Sequence, residues 1–202
     1  MGRPRGNTRE KLIAAGYDAL RTIGYSRASS RAIAKIAGVN PALVFYYFES
    51  VDDLLVAALA ESNEDRLARY RESVEASSSP SDLMAALAQI YRDDVAAGHV
   101  TVVSELVAAS VSRPELAAHV VLLMKPWVEL AEDAVESVLR ESPLRDVASP
   151  RAIALAGVVF YLGANLITHL LAASADVDAL LGEAERVAPI LDTLVHPGST
   201  GT

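Results

Sequence analysis

The chain has 202 residues, 51% of them hydrophobic, a mean hydropathy of +0.26 and a formal net charge of −8. That length and apolar content suffice for a substantial core in one or two closely packed domains, and they exclude a disordered tail. The lack of cysteine excludes disulfides, thiolate metal sites and cysteine nucleophiles, and it suits a reducing cytosol.

The chain opens on Gly2-Arg3-Pro4-Arg5-Gly6, which has too little apolar content to fold. Two readings stay open: a basic arm that inserts Arg3 and Arg5 into a DNA minor groove, or a solvated tail. No cleavable apolar region follows this basic start, so no signal peptide is expected. From Asn7, which can cap a helix with Glu10 at the third helical position, Leu12, Ile13, Ala15, Ala19, Leu20 and Ile23 recur at helical spacing up to Gly24.

Residues 29–48, SSRAIAKIAGVNPALVFYYF, predict two short helices joined by a tight turn. Ser29 or Ser30 can cap the first, and Ile33, Ala34, Ile36 and Ala37 form its apolar stripe. Gly38 can take the left-handed conformation that ends a helix, Asn40 can cap the next one, and Pro41 suits a first turn. A three-residue, glycine-containing turn between two helices is the sequence form of a helix-turn-helix, whose second helix enters the DNA major groove. In that second helix Val44 and Phe48 stand at i and i+4 and can face a core. Phe45, Tyr46 and Tyr47 cannot all follow them inward, because successive side chains lie about 100° apart around a helix.

Ser50 and Asp53 make a new capping pair for a long helix that carries Leu54, Leu55, Ala58, Leu59 and Leu67 to about residue 75. It runs from the helix-turn-helix into the rest of the chain and is therefore the expected lever between them. Residues 77–81 form a short connection. Further helices are expected over about 81–97, 99–111, 114–141, 150–173 and 176–195, with a kink or split at Pro126. No strand is expected, and the last seven residues read as a frayed tail.

Charge is distributed unevenly. Residues 1–48 hold eight basic against two acidic side chains, +6, which leaves −14 for the rest. A basic module on an acidic body confines phosphate binding to one end. Residues 152–173 carry no charge and are long enough to span a bilayer, but Asn165, Thr168 and His169 would be costly in lipid. Their Ala and Gly content fits close helix packing instead. With the stripe Leu180, Leu181, Val187, Ile190, Leu191 and Leu194, these last two helices predict a two-fold dimer closed by a four-helix bundle.

Taken together, the segment Ile33-Ala34-Lys35-Ile36-Ala37-Gly38-Val39-Asn40, the aromatic run ending at Phe48, Ser50 with Asp52-Asp53-Leu54-Leu55, and Gly24-Tyr25 ahead of them resemble the TetR family of transcriptional regulators. The likeness covers about residues 7–60; the remainder matches only in length and helical character. It implies an all-α chain of about nine helices, with a helix-turn-helix DNA-binding domain in residues 1–48 and a helical effector-binding and dimerisation domain in residues 49–202. It also implies a cytoplasmic homodimer on a palindromic operator, acting as a repressor relieved by a small molecule. The implied DNA-binding residues are Arg3, Arg5, Ser29, Ser30, Arg31, Asn40, Pro41, Ala42, Leu43, Phe45, Tyr46 and Tyr47. Three positions depart from the family pattern: Phe45 stands where Tyr is usual, Pro41 where a basic residue is common, and Val51 where a Lys is common. Two expected phosphate contacts are thereby missing, and the hydroxyl absent at Phe45 can be supplied by Tyr46 or Tyr47; lower affinity or salt dependence than is typical of the family is expected.

Within the acidic body, Tyr161, Asn165 and His169 stand at i, i+4 and i+8 on an otherwise apolar helix, and Trp127, His99, Ser104 and Glu105 are further polar or aromatic groups in apolar surroundings. His99, Glu105, Trp127, Tyr161, Asn165 and His169 are thus the effector-binding candidates. A dimer interface pairing its own polar groups would use the same residue types. For enzyme readings there is no GxSxG, HExxH, GxGxxG or phosphate-binding Gly loop, and four separated His give no metal-ligand spacing. No catalytic residue, metal or cofactor is expected. A helical interaction protein or an enzyme without DNA binding is the alternative, and sequence-specific DNA binding separates them.

Overall fold

The computed structural model describes residues 5–147, 149–171 and 174–195, with side chains for residues 8–147, 149–168 and 176–195. Among these residues the chain forms nine α-helices and no strand. They are α1 (Arg5–Ile23), α2 (Ser30–Ala37), α3 (Ala42–Tyr47), α4 (Val51–Glu75), α5 (Pro80–Ala97), α6 (His99–Ser110), α7 (Pro114–Leu139), α8 (Pro150–Leu171) and α9 (Ser174–Val195), with a single 3-10 turn at Tyr25–Arg27. The chain divides into two compact units, Met1–Asp65 with Thr101–Leu123 and Arg66–Val100 with Met124–Thr202. Helices α4, α6 and α7 each contribute residues to both.

In the first unit α1 packs on α2 and α2 on α3. Leu12, Leu20, Ile33, Val44, Leu54, Leu55 and Leu59 are fully buried, so every helix of this unit up to α4 contributes an apolar anchor. α2 begins at Ser29, whose hydroxyl accepts the Ala32 N–H at 3.3 Å. It ends at Gly38, at φ 66 and ψ 35, where Val39 N–H reaches the Ala34 carbonyl at 3.0 Å and Gly38 N–H the Lys35 carbonyl at 3.3 Å, the paired bonds of a Schellman cap. The expected stripe on α2 needs one correction: Ile36 is 43% exposed. Ile33, Ala34 and Ala37 share one face within about 100° of arc, and a residue three places after Ile33 falls outside it.

In the second unit α5 packs along α9. That contact is pinned by Ser81 N–H on Asp192 Oδ1 at 2.9 Å and by Arg92 on both Glu185 oxygens, at 3.2 and 2.9 Å. One apolar cluster gathers Val74, Leu83, Leu130, Val135 and Val138, another Ala88, Tyr91, Val100, Ala164, Val177 and Leu181. α7 continues through Pro126 without splitting, and α9 likewise contains Pro189. α9 turns Val177, Leu181, Ala188 and Val195 inward. Of the stripe expected there, Leu180, Val187, Ile190, Leu191 and Leu194 are instead exposed, as are Ile153, Leu155, Val159, Leu166 and Ile167 of α8. By length and composition Pro150–Thr168 could cross a membrane, with mean hydropathy 1.6 and only 17% of that stretch buried.

Candidate nucleic-acid interface and a buried polar cluster

The α2–turn–α3 segment places its side chains by its caps. Asn40 Oδ1 accepts the Ala42 N–H at 2.9 Å, Pro41 has φ −55, and Leu43 and Val44 N–H groups bond the Asn40 and Pro41 carbonyls at 3.0 and 3.1 Å. With Val44 and Phe48 turned inward, α3 presents Ala42, Phe45 and Tyr46 to solvent. Phe45 is 61% and Tyr46 63% exposed, and Tyr47 is half-buried. The Tyr46 and Tyr47 rings meet edge to face with centroids 4.9 Å apart. Leu43 and Ser30 are half-buried, while Ser29, Arg31, Asn40 and Pro41 are exposed. Lys35 and Arg27 are exposed as well. Arg3 and the Arg5 side chain lie outside the described residues; Arg5 itself starts α1.

Exposed rings and a capped backbone allow close approach to another surface, and exposed guanidinium and ammonium groups can bind phosphate oxygens. Ser50 fixes the following helix, its Oγ accepting the Asp53 N–H at 3.0 Å while its hydroxyl donates to Asp53 Oδ2 at 2.7 Å.

The effector candidates are divided by the fold. Tyr161 donates its hydroxyl to Asp94 Oδ2 at 2.8 Å, Tyr70 donates to Asp94 Oδ1 at 3.0 Å, and Arg66 forms an ion pair with the same carboxylate. Three donors on one buried carboxylate suit its ionised form. Burial pushes the Asp94 carboxyl up, and Tyr161, Arg66 and Tyr70 pull it back. Burial, then the Asp94 charge, raises Tyr161, and the same causes push Tyr70 up to about 12. His99 is buried at 2% exposure, and desolvation followed by the Arg66 charge pushes it down to about 3, which keeps the imidazole neutral. Trp127 is half-buried with its ring 6.3 Å from Tyr70. Asn165 is buried, and Thr168 donates to the Ala164 carbonyl at 2.9 Å. The His169 side chain lies outside the described residues.

Glu105 sits elsewhere, in the first unit, where its Oε2 accepts the Tyr25 backbone N–H at 2.7 Å. The sequence reading missed Asp94, Arg66 and Tyr70 as the centre of the polar cluster. In sequence Asp94 is indistinguishable from its neighbour Asp93, and only the helix phase turns one in and the other out.

The geometry agrees with what this chain is similar to. Residues 12–58 match the family model described as bacterial regulatory proteins, tetR family. The HTH-type transcriptional regulator BetI of Stenotrophomonas maltophilia is 34% identical over 114 residues, covering 54% of this chain and 57% of that protein. UidR of Escherichia coli is 26% identical over 111 residues, covering 55% and 56%. The chain thus spans about half the length of the curated relatives it matches. For the whole fold, the crystal structure of the transcriptional regulator FadR from Bacillus subtilis in complex with stearoyl-CoA aligns with a TM-score of 0.75 at 16% identity, over 93% of this chain and 99% of that one. The capped helix-turn-helix and the match around it coincide: residues 12–58 carry the segment that the tetR family of bacterial regulatory proteins shares, and the helical body behind it has the fold of the solved regulator FadR.

Proposed function

We propose that this protein is a cytoplasmic, sequence-specific DNA-binding transcriptional regulator, a repressor whose hold on its operator is set by a small-molecule effector, and not an enzyme. The observation that carries the proposal is the outward-facing α3, with Ala42, Phe45 and Tyr46 exposed between capped ends in the segment that matches the family. Residues 1–48 form the DNA-binding part, with Arg3, Arg5, Ser29, Ser30, Arg31, Asn40, Pro41, Leu43 and Tyr47 as further contacts. Residues 49–202 take the effector and the second subunit, and α4 links the two parts. The ten exposed apolar side chains of α8 and α9 support a homodimer, because an apolar surface of that extent marks an interface.

His99, Trp127, Tyr161 and Asn165 are the effector residues we retain, together with His169, and Asp94 joins them. A ligand bonding Asp94 or Tyr161 must compete with the partners those groups already hold, which selects for a ligand able to replace them. Stearoyl-CoA in FadR is the precedent for a small molecule in a protein of this fold. Selection of bound duplexes from a random-sequence pool tests the proposal. It should enrich an inverted repeat whose half-sites lie about one helical turn, or a multiple, apart; enrichment of no sequence, or of one without inverted symmetry, contradicts it.

A further inference from the structure

The turn between α1 and α2 is held from outside the helix-turn-helix. Tyr25 N–H donates to Glu105 Oε2 of α6 at 2.7 Å, across 80 positions of sequence. Gly24, at φ 76, lets the carboxylate come this close, since a Cβ built there would lie 2.9 Å from the same oxygen. The Tyr25 side chain is held as well. Its hydroxyl donates to Asp52 Oδ1 at 2.7 Å, and the Arg113 guanidinium lies 5.2 Å from its ring centroid while donating to Asp52 Oδ2 at 2.9 Å. Residues from the start of α4, from α6 and from the loop after α6 therefore converge on Tyr25, in the turn between α1 and α2. α2 and α3 have their own caps at Ser29, Gly38 and Asn40 and do not need this contact to form. The Arg113–Asp52 pair is half exposed, a setting in which ion pairs add little to stability.

We propose that Glu105 and Arg113 are positioning residues for DNA binding: by clamping the Gly24–Tyr25 turn they set the pose of α2 and α3. The inference rests on the DNA-binding reading above and extends it to a part of the chain that sequence reasoning assigned to the effector. His99 and Val100, at the start of the same helix, belong to the other unit, where Val100 packs with Tyr91 and Ala164.

The test combines amide exchange at Tyr25 with binding to the duplex that the wild-type chain enriches from a random pool. In Glu105→Ala, Tyr25 N–H should exchange at least tenfold faster and the duplex should bind about five- to tenfold more weakly, with Glu105→Gln, whose carbonyl still accepts, restoring both. Removing a negative charge would by itself tighten DNA binding, so a loss has the opposite sign from a charge artefact. Arg113→Ala serves if Glu105→Ala does not fold. It should weaken binding at least threefold at unchanged melting temperature and unchanged salt slope, whereas a lost phosphate contact would reduce that slope by about 1. Unaltered Tyr25 exchange in Glu105→Ala, faster exchange with wild-type affinity, or a reduced salt slope in Arg113→Ala overturns the proposal. A wild-type chain that enriches no sequence overturns the DNA-binding reading and this extension with it, and Tyr25 exchange then still reports whether the clamp exists.

Discussion

Gly24 and Gly38 both hold positive φ, but their surroundings differ. At Gly38 an added Cβ meets nothing within 4 Å, whereas at Gly24, with ψ 165, it meets the Glu105 carboxylate. Gly38→Ala should therefore cost only the left-handed strain, about 1 kcal/mol. Gly24→Ala occupies a region of backbone space that is nearly closed to other residues, at about 1–3 kcal/mol, and must also displace Glu105. Thermal unfolding of the two variants should show the larger loss at Gly24. His99 supplies a second residue-level expectation. The folded chain holds it neutral down to about 3, while an unfolded chain protonates it near its ordinary value. Between those limits the unfolded state binds the extra proton, so stability is fully present above roughly pH 6.5 and declines as the pH falls, by up to about 1.4 kcal/mol per pH unit. Asp94, raised by burial, acts in the opposite sense within its own window, because the folded state keeps that proton longer. Denaturant unfolding at pH 7 and pH 5 should show wild type losing more stability than His99→Asn; equal losses would show that His99 is not the group responsible.

At the level of elements, the exposed face of α3 separates two kinds of contact. If the Tyr46 or Tyr47 hydroxyl meets phosphate, Tyr→Phe there should weaken binding to every duplex by about 1 kcal/mol and leave sequence preference alone. Changes at Ala42 or Leu43 should instead alter which sequence is preferred. The helix-turn-helix was legible because its signals are local. A capping Ser, a left-handed Gly, an Asn–Pro start and three aromatics too crowded to bury together all act within a few residues. Element types and spans in the body were legible for the same reason, to within one or two residues at most ends. What sequence could not supply was the partner of each polar group. Glu105 reads as a pocket residue until Gly24, 81 positions earlier, is seen to leave room for its carboxylate. Tyr161 reads as a group awaiting a ligand until Asp94 is found under its hydroxyl. On α9 the apolar residues could be listed, but their division into a face turned toward α5 and a face left open depends on packing against α5, which periodicity alone does not specify.

For the whole molecule, the exposed apolar side chains of α8 and α9 are where quaternary structure enters. Leu166 is 58% exposed in the single chain, so Leu166→Asp should cost the isolated fold little while placing a charge in the proposed interface. Dimer formation and operator binding should then fall together, as sedimentation and duplex titration on the same samples would record; loss of DNA binding from an intact dimer would break that link. The central claim is that two such chains together read one symmetric DNA site. Its most direct measurement is sedimentation of the wild-type protein titrated into the enriched duplex, beside a shuffled duplex of equal length at the same salt concentration. The account predicts a saturating complex with an even number of chains, two per inverted repeat, on the enriched duplex and much weaker binding to the shuffled one. A saturated complex holding one chain, or equal affinity for the two duplexes, would contradict it.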